Sequence, residues 1–138
     1  MRLLVLFALC LTTPAMADTV LAARTIRAQS LIMPQDLVVK QIDVVGAIVD
    51  PSKVIGQEAR VALYAGRPIR PGDVGPPAVV ERNQIISLIY EQSGISITTE
   101  GRSLGRAGPG EFVRVMNLSS RLTVSGQVLP DGRVIVSN

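Results

Sequence analysis

The chain has 138 residues, with 14 lysines and arginines against 11 aspartates and glutamates, a formal net charge of +3. It contains no histidine and no tryptophan, and its one cysteine is Cys10. That inventory excludes Ser-His-Asp and Cys-His catalysis, offers no imidazole–thiolate set for zinc, and gives too little positive charge to argue for nucleic acid.

The first segment reads as a leader rather than as fold. Arg2 supplies a positive start, Leu3 to Leu11 is apolar, Pro14 breaks the run, and Ala15-Met16-Ala17 is a small-x-small cleavage site. A membrane helix needs roughly 20 apolar residues, so this run is too short to span. A lipoprotein reading on Cys10 meets Leu9 where a small residue is expected. Residues 1–17 are therefore predicted to be a signal peptide, cut between Ala17 and Asp18, with no stable membrane insertion afterwards. Loss of Arg2 lowers the net charge by one, to +2, and Phe7 leaves as well, so Tyr64, Tyr90 and Phe112 are the remaining aromatics. Stacking surfaces for bases or sugars need more rings than that.

The mature chain reads as strand and turn throughout. Val20 to Arg24 is a first strand, and Leu37 to Val45 a second. Asp50-Pro51-Ser52-Lys53 has the form of one short helix start, with Asp50 as cap, Pro51 at the first position and Gly56 as the stop. Glu58 to Leu63 alternates as a strand. Two phrases repeat across this region: Ala28-Gln29-Ser30-Leu31-Ile32-Met33-Pro34-Gln35-Asp36-Leu37 and Ala65-Gly66-Arg67-Pro68-Ile69-Arg70-Pro71-Gly72-Asp73-Val74. Each predicts a turn that its aspartate closes and from which a strand departs. Pro71-Gly72 favours type II, with glycine at positive φ, and Pro34-Gln35 favours type I. The repeat reads either as a structural echo or as a coincidence of two ordinary turns.

Gly75-Pro76-Pro77 is the linker candidate, since a paired strand through two prolines is disfavoured. Beyond it, Gln84 to Tyr90 and the alternation of Ile95, Ile97 and Thr99 with Ser96, Thr98 and Glu100 predict an antiparallel hairpin with one buried face. Phe112 to Met116, Leu122 to Val128 and Val134 to Val136 then make a meander with turns at 117–120 and 130–132. The carboxylates form no close local pair, and Asp36, Asp50, Asp73 and Asp131 sit beside proline or glycine, where turn-making accounts for them. Gly101 to Gly108 lacks a following helix and a Walker lysine, so it reads as a strand connection carrying a basic edge of Arg102 and Arg106. Arg67 and Arg70 offer a similar edge in the second phrase. No catalytic, metal or cofactor residue is expected.

The second phrase resembles the SAF domain, whose fold is a β-clip of short bent strands. The closing segment, Gly110-Glu111-Phe112-Val113-Arg114-Val115-Met116-Asn117-Leu118-Ser119-Ser120, then Val124-Ser125-Gly126-Gln127-Val128 and Asp131-Gly132-Arg133-Val134, resembles the FlgA family of flagellar P-ring chaperones. The resemblance implies a mainly β fold: an SAF-type β-clip over 18–75, a C-terminal antiparallel β meander over 79–138, and at most one short helix. It also implies a non-enzymatic periplasmic assembly factor without cofactor. Its partners would be the P-ring subunit and, beyond it, rod proteins. Arg67, Arg70, Arg102, Arg106, Arg114 and Asn117 are the candidate partner-binding residues. Many members carry a further N-terminal domain, and Met116 stands where arginine is common. The alternatives are a SAF-domain assembly protein of a pilus secretion system and a non-catalytic sugar-binding accessory module.

Overall fold

The computed structural model describes residues 17–136. All but Ala17 of the expected leader lies outside the described residues. The chain begins its fold at β1 (Thr19–Ala22), which pairs antiparallel with β2 (Leu37–Lys40). β3 (Glu58–Ala59) pairs antiparallel with β4 (Val74–Gly75). The strands expected to reach Val45 and Leu63 are shorter, and isolated bridges such as Ile26–Leu63 complete the bent ladders.

The repeated phrase is a structural repeat, and it extends well beyond the matched letters. Positions 37 apart (28 and 65, 36 and 73) make the same bonds. The Ala23 amide donates to Asp36 O at 2.7 Å, and the Arg60 amide donates to Asp73 O at 2.8 Å. Between the two halves the bonding is reciprocal. Gln29 N donates to Ala59 O and Gly66 N to Ala22 O, both at 2.7 Å. Ile32 N donates to Gln57 O at 2.9 Å, and Ile69 N to Val20 O at 3.0 Å. Ile26 and Leu63 exchange both of their bonds, at 2.8 and 2.9 Å. The clip is thus two copies of one bent unit, related by a pseudo-two-fold axis that passes through the Ile26–Leu63 pair. Ile32 and Ile69, equivalent by this relation, are fully buried in a core with Val20, Val54 and Ala59.

The turns differ from expectation in kind. Among the described residues, helical content is three single 3₁₀ turns, Pro34–Asp36, Pro51–Lys53 and Pro71–Asp73, where one short helix was expected at the second alone. Gly72 is not among the positive-φ residues, so Pro71-Gly72 is no type II turn. The aspartate decides this. Asp73 Oδ2 accepts from the Arg70 amide at 3.0 Å while the Asp73 amide donates to Arg70 O at 3.0 Å. Asp36 and Met33 do the same, at 3.0 and 3.0 Å. Closing both ends on one side chain favours the tight helical turn. The positive φ falls earlier, at equivalent positions: Gln29 at 66° and Gly66 at 78°. Asp50 caps as expected, accepting from Ser52 N at 2.9 Å.

The second half of the chain closes on itself. β5 (Ile85–Gln92), β6 (Ile95–Ser103), β7 (Phe112–Asn117), β8 (Thr123–Val128) and β9 (Val134–Val136) form a barrel in chain order. Successive strands are antiparallel, and β9 returns to lie parallel to β5. Parity requires this: five alternating strands leave the first and last pointing the same way. The expected hairpin and meander are therefore one closed sheet. Its core holds Val80, Leu88, Val115, Val128 and Val134. The barrel is narrow enough that glycine faces inward at Gly101 and Gly126, where larger residues would collide.

Candidate partner-binding surface

Where the clip meets the barrel, the polar chemistry converges on Glu58. Its Oε1 accepts from Arg60 Nη1 at 3.3 Å and, in a shorter contact, from Arg106 Nη1. Its Oε2 accepts from the Ala78 amide at 3.2 Å. Arg60 Nη2 reaches Pro76 O at 2.7 Å and Glu111 Oε2 at 2.6 Å, and Glu111 in turn accepts from Gly108 N at 2.7 Å. Arg106 Nε donates to both Glu81 oxygens, at 3.0 and 2.9 Å. The Glu58 side chain is only 5% exposed. Burial alone would lower the Arg106 pKa; hydrogen bonds and charge from Glu58 and Glu81 outweigh it and hold the guanidinium above its ordinary value. The network fixes clip, linker and barrel to one another. The 75–77 linker is gripped as well: a side chain at Gly108 would sit 2.6 Å from Pro76 O and 2.8 Å from Pro77 O.

The pseudo-symmetry explains why these charges sit in the second copy. Glu58 and Arg60 occupy the positions of Leu21 and Ala23 in the first. The clip's side-chain bonds to the linker and barrel come from the second copy, where an ion-pairing couple stands in place of two uncharged residues.

Among the expected partner-binding residues, Arg106 is engaged in this junction. Asn117 closes a turn, its Oδ1 accepting from Ser119 N at 2.9 Å and Ser120 N at 3.2 Å. Arg67 and Arg70 are exposed on the clip, lining a shallow hollow with Pro68 and Asp73. Arg102 lies opposite Met116 in the β6–β7 ladder, and Arg114 stands two positions along on the same outer face. The fold thus brings Arg102 and Arg114 onto one barrel face and leaves Arg67 and Arg70 on the clip. Ala17 is half-buried and Asp18 exposed, immediately before β1.

A second surface lies at the tip of the β5–β6 hairpin. These strands have 8 and 9 residues, but β9 pairs only with Leu88–Tyr90 and β7 only with Gly101–Ser103. The hairpin end therefore overhangs the barrel. Ile86 and Leu88 on its inner face are buried in the core, and the same face continues through Tyr90, Ile97 and Ile95. Ile95 is 65% exposed and Ile97 58%. The expectation of a buried hairpin face holds within the barrel and fails at the tip, because nothing among the described residues covers it. Tyr90, Gln92, Ile95 and Ile97 line an open pocket of about 270 Å³. That is below the roughly 300–1,000 Å³ of small-molecule sites and suits an inserted side chain.

Asp36 is the one strongly buried carboxylate of the clip outside the junction. Its pKa is lowered by the Met33 amide first and then by Arg24, whose Nε donates to Oδ1 at 2.5 Å. A depressed folded-state pKa adds stability above the unfolded value of about 3.9, and that stability is lost as pH falls through the folded value. Asp36→Asn is expected to lower the melting temperature at pH 6 and to leave less further loss between pH 4 and pH 2 than the unmodified chain shows. Parallel acid limbs in the two proteins would count against the ion pair.

A clip joined to a small barrel, with its buried charges locked in structure and an apolar hairpin left uncovered, is the profile of a protein-binding module. Comparison with known proteins makes that specific. The family model described as a chaperone for flagella basal body P-ring formation matches residues 17–136, and the chain belongs to that family. It is 30% identical over 139 residues to the flagellar protein FlgA of Agrobacterium fabrum, covering 94% of this chain and 85% of that one. It is 29% identical over 118 residues to the distal basal body ring component protein of Caulobacter vibrioides, covering 83% of this chain and 43% of that one. The chain thus spans less than half of the Caulobacter protein. Among solved structures it resembles Salmonella FlgA in open form, with a TM-score of 0.69 at 22% identity, covering 86% of this chain and 59% of that one. The family reached from the second phrase and the closing segment is the same one.

The sequence reading passed over Glu58, Arg60 and the hairpin tip. Two signals were available. Aligning the copies sets Glu58 against Leu21 and Arg60 against Ala23, marking where one copy meets something the other does not. The excess length of β5 and β6 over β9 predicts an overhang.

Proposed function

We propose that the mature chain is a periplasmic chaperone that binds the P-ring subunit and holds it competent for assembly around the rod. The family match over 17–136 carries this reading. The exposed apolar hairpin supports it, since a large uncovered apolar surface marks an interaction site. In this reading the leader over 1–17 is removed after Ala17, and 18–75 and 79–138 act as two units joined at the Glu58 junction. Capture proceeds by strand addition, with backbone hydrogen bonds giving affinity and alternate side chains selectivity. Arg102 and Arg114 supply polar contacts on the barrel, and Arg67 and Arg70 on the clip. Deleting the gene and isolating basal bodies tests the role. Basal bodies without P rings are expected, and complete P rings in the deletion strain would rule it out.

A further inference from the structure

We propose that the outward edge of β6 at Ser96 and Thr98 is the docking strand, and that its occupant is an extended segment of the ring subunit with apolar side chains at alternate positions. The inference rests on the reading that this chain captures that subunit. The direction of the backbone groups comes from the ladder. Ser103 N donates to Gln84 O at 2.9 Å and Asn83 N to Ser103 O at 2.8 Å, so Ser103 points both its groups toward β5. Alternation then aims Gly101, Thr99, Ile97 and Ile95 at β5 and Arg102, Glu100, Thr98 and Ser96 away from it. The bond from Leu118 N to Glu100 O at 3.0 Å, on the far side, agrees. β7 takes up this outer edge from Gly101 onward. At Ser96 and Thr98 no strand among the described residues follows, and two amides and two carbonyls face outward.

Three properties select an extended apolar-alternating guest. The edge carries no proline, lysine or bulge between Ile95 and Thr99, the devices that ordinarily block pairing. A strand added there continues the line of β7, so it inherits a ladder already in register. Its inward side chains would fall on Tyr90, Ile95 and Ile97, where the pocket accepts one of them, and its outward ones beside Ser96 and Thr98. A polar strand would leave the apolar face unmet, and a folded partner without a free strand would leave the backbone groups unmet. The subunit of the ring whose formation the family assists is the client in the proposed function, and an extended segment of it would fit both.

The test uses the mature protein and the purified P-ring subunit of the same bacterium. Thr98→Pro removes one outward amide and obstructs an added strand, while the β5 ladder, which Thr98 does not bond, stays intact. Capture of the subunit is expected to weaken about tenfold or more. Independently, amide exchange on the unmodified protein is expected to slow at Ser96 and Thr98 on binding, whereas Ile97 and Thr99 are protected beforehand. This second measurement decides the matter if Thr98→Pro does not fold. Unchanged capture by a folded Thr98→Pro, or fast exchange at Ser96 and Thr98 in the complex, overturns the edge assignment and leaves the chaperone reading standing. No capture by the unmodified protein overturns both. Protection of these amides in the chain alone, rising with its concentration and lost in Thr98→Pro, would make a second copy the occupant and overturn the assignment.

Discussion

Replacing Glu58 by alanine is expected to lower the free energy of unfolding by about 3 kcal/mol and to split unfolding into two steps. The change strips Arg60 and Arg106 of their shared partner and leaves the Ala78 amide without an acceptor. Removing one member of a buried ion pair costs more than the pair contributes, because the survivors stay desolvated. Both arginines keep a second carboxylate, Glu111 for Arg60 and Glu81 for Arg106, and are about one-fifth exposed, so the lower end of the usual range applies. The splitting follows from position, since Glu58 ties clip to linker to barrel. The two tyrosines read the two parts separately: Tyr64 lies in the clip and Tyr90 in the barrel. Tyrosine fluorescence in Tyr64→Phe and Tyr90→Phe backgrounds should give one urea midpoint with Glu58 present and two without it. Coincident midpoints in the alanine variant would show that the parts stay coupled without Glu58. Glu81→Ala, at an exposed carboxylate, should stay within about 0.5 kcal/mol of the unmodified chain.

The second large effect is steric. Gly126→Ala is expected to cost about 3 kcal/mol, and Gly101→Ala clearly less. A methyl at Gly126 would lie 2.5 Å from Val134 Cγ1 and 2.6 Å from the Ile135 carbonyl oxygen. The oxygen belongs to the backbone of β9, which pairs with β8 right beside Gly126, so relief requires spreading the antiparallel β8–β9 pair. At Gly101 the obstacles are Val115 Cγ1 at 2.5 Å and Leu88 Cδ1 at 2.7 Å, side-chain ends that can turn aside. Val115→Ala should therefore recover part of the loss at Gly101, and Val134→Ala little of the loss at Gly126. Paired melting curves of the single and double variants check the ordering, and equal losses at the two glycines would contradict it.

Much of the architecture was readable because local chemistry and final structure agree. Asp36 and Asp73 are turn-makers in sequence and in space, and Asp50-Pro51 caps where a capping pair should. What escaped reading depends on distance. Pro71-Gly72 permits two turn types, and the choice is made by a carboxylate two residues after the proline. Barrel closure depends on the count of strands, which no single segment contains. Ile95 and Ile97 alternate as a buried strand would, and only the shortness of β9 and the end of β7 at Asn117, opposite Gly101, leave them uncovered. Glu58 and Arg106 are 48 residues apart in the chain, and no pattern in either neighbourhood announces the other. Candidate Arg102 and Arg114 were named for their charge, and their shared face is a product of register.

The reciprocal halves of the clip have a consequence for how the molecule is made. Each half closes only part of its own hydrogen bonds, through the β1–β2 or β3–β4 pair; the rest wait for the other half, as Ile26 waits for Leu63, 37 positions away. Such pairing must bear the entropy of loop closure before any bond rewards it, so the clip should be the slow step of folding. The matching half need not come from the same molecule. Two chains emerging side by side present each other with the same donors and acceptors, and trading halves would keep every bond at the axis. Refolding at rising protein concentration should then yield a growing fraction of intertwined dimer, and a yield independent of concentration would show that the halves find each other first within one chain.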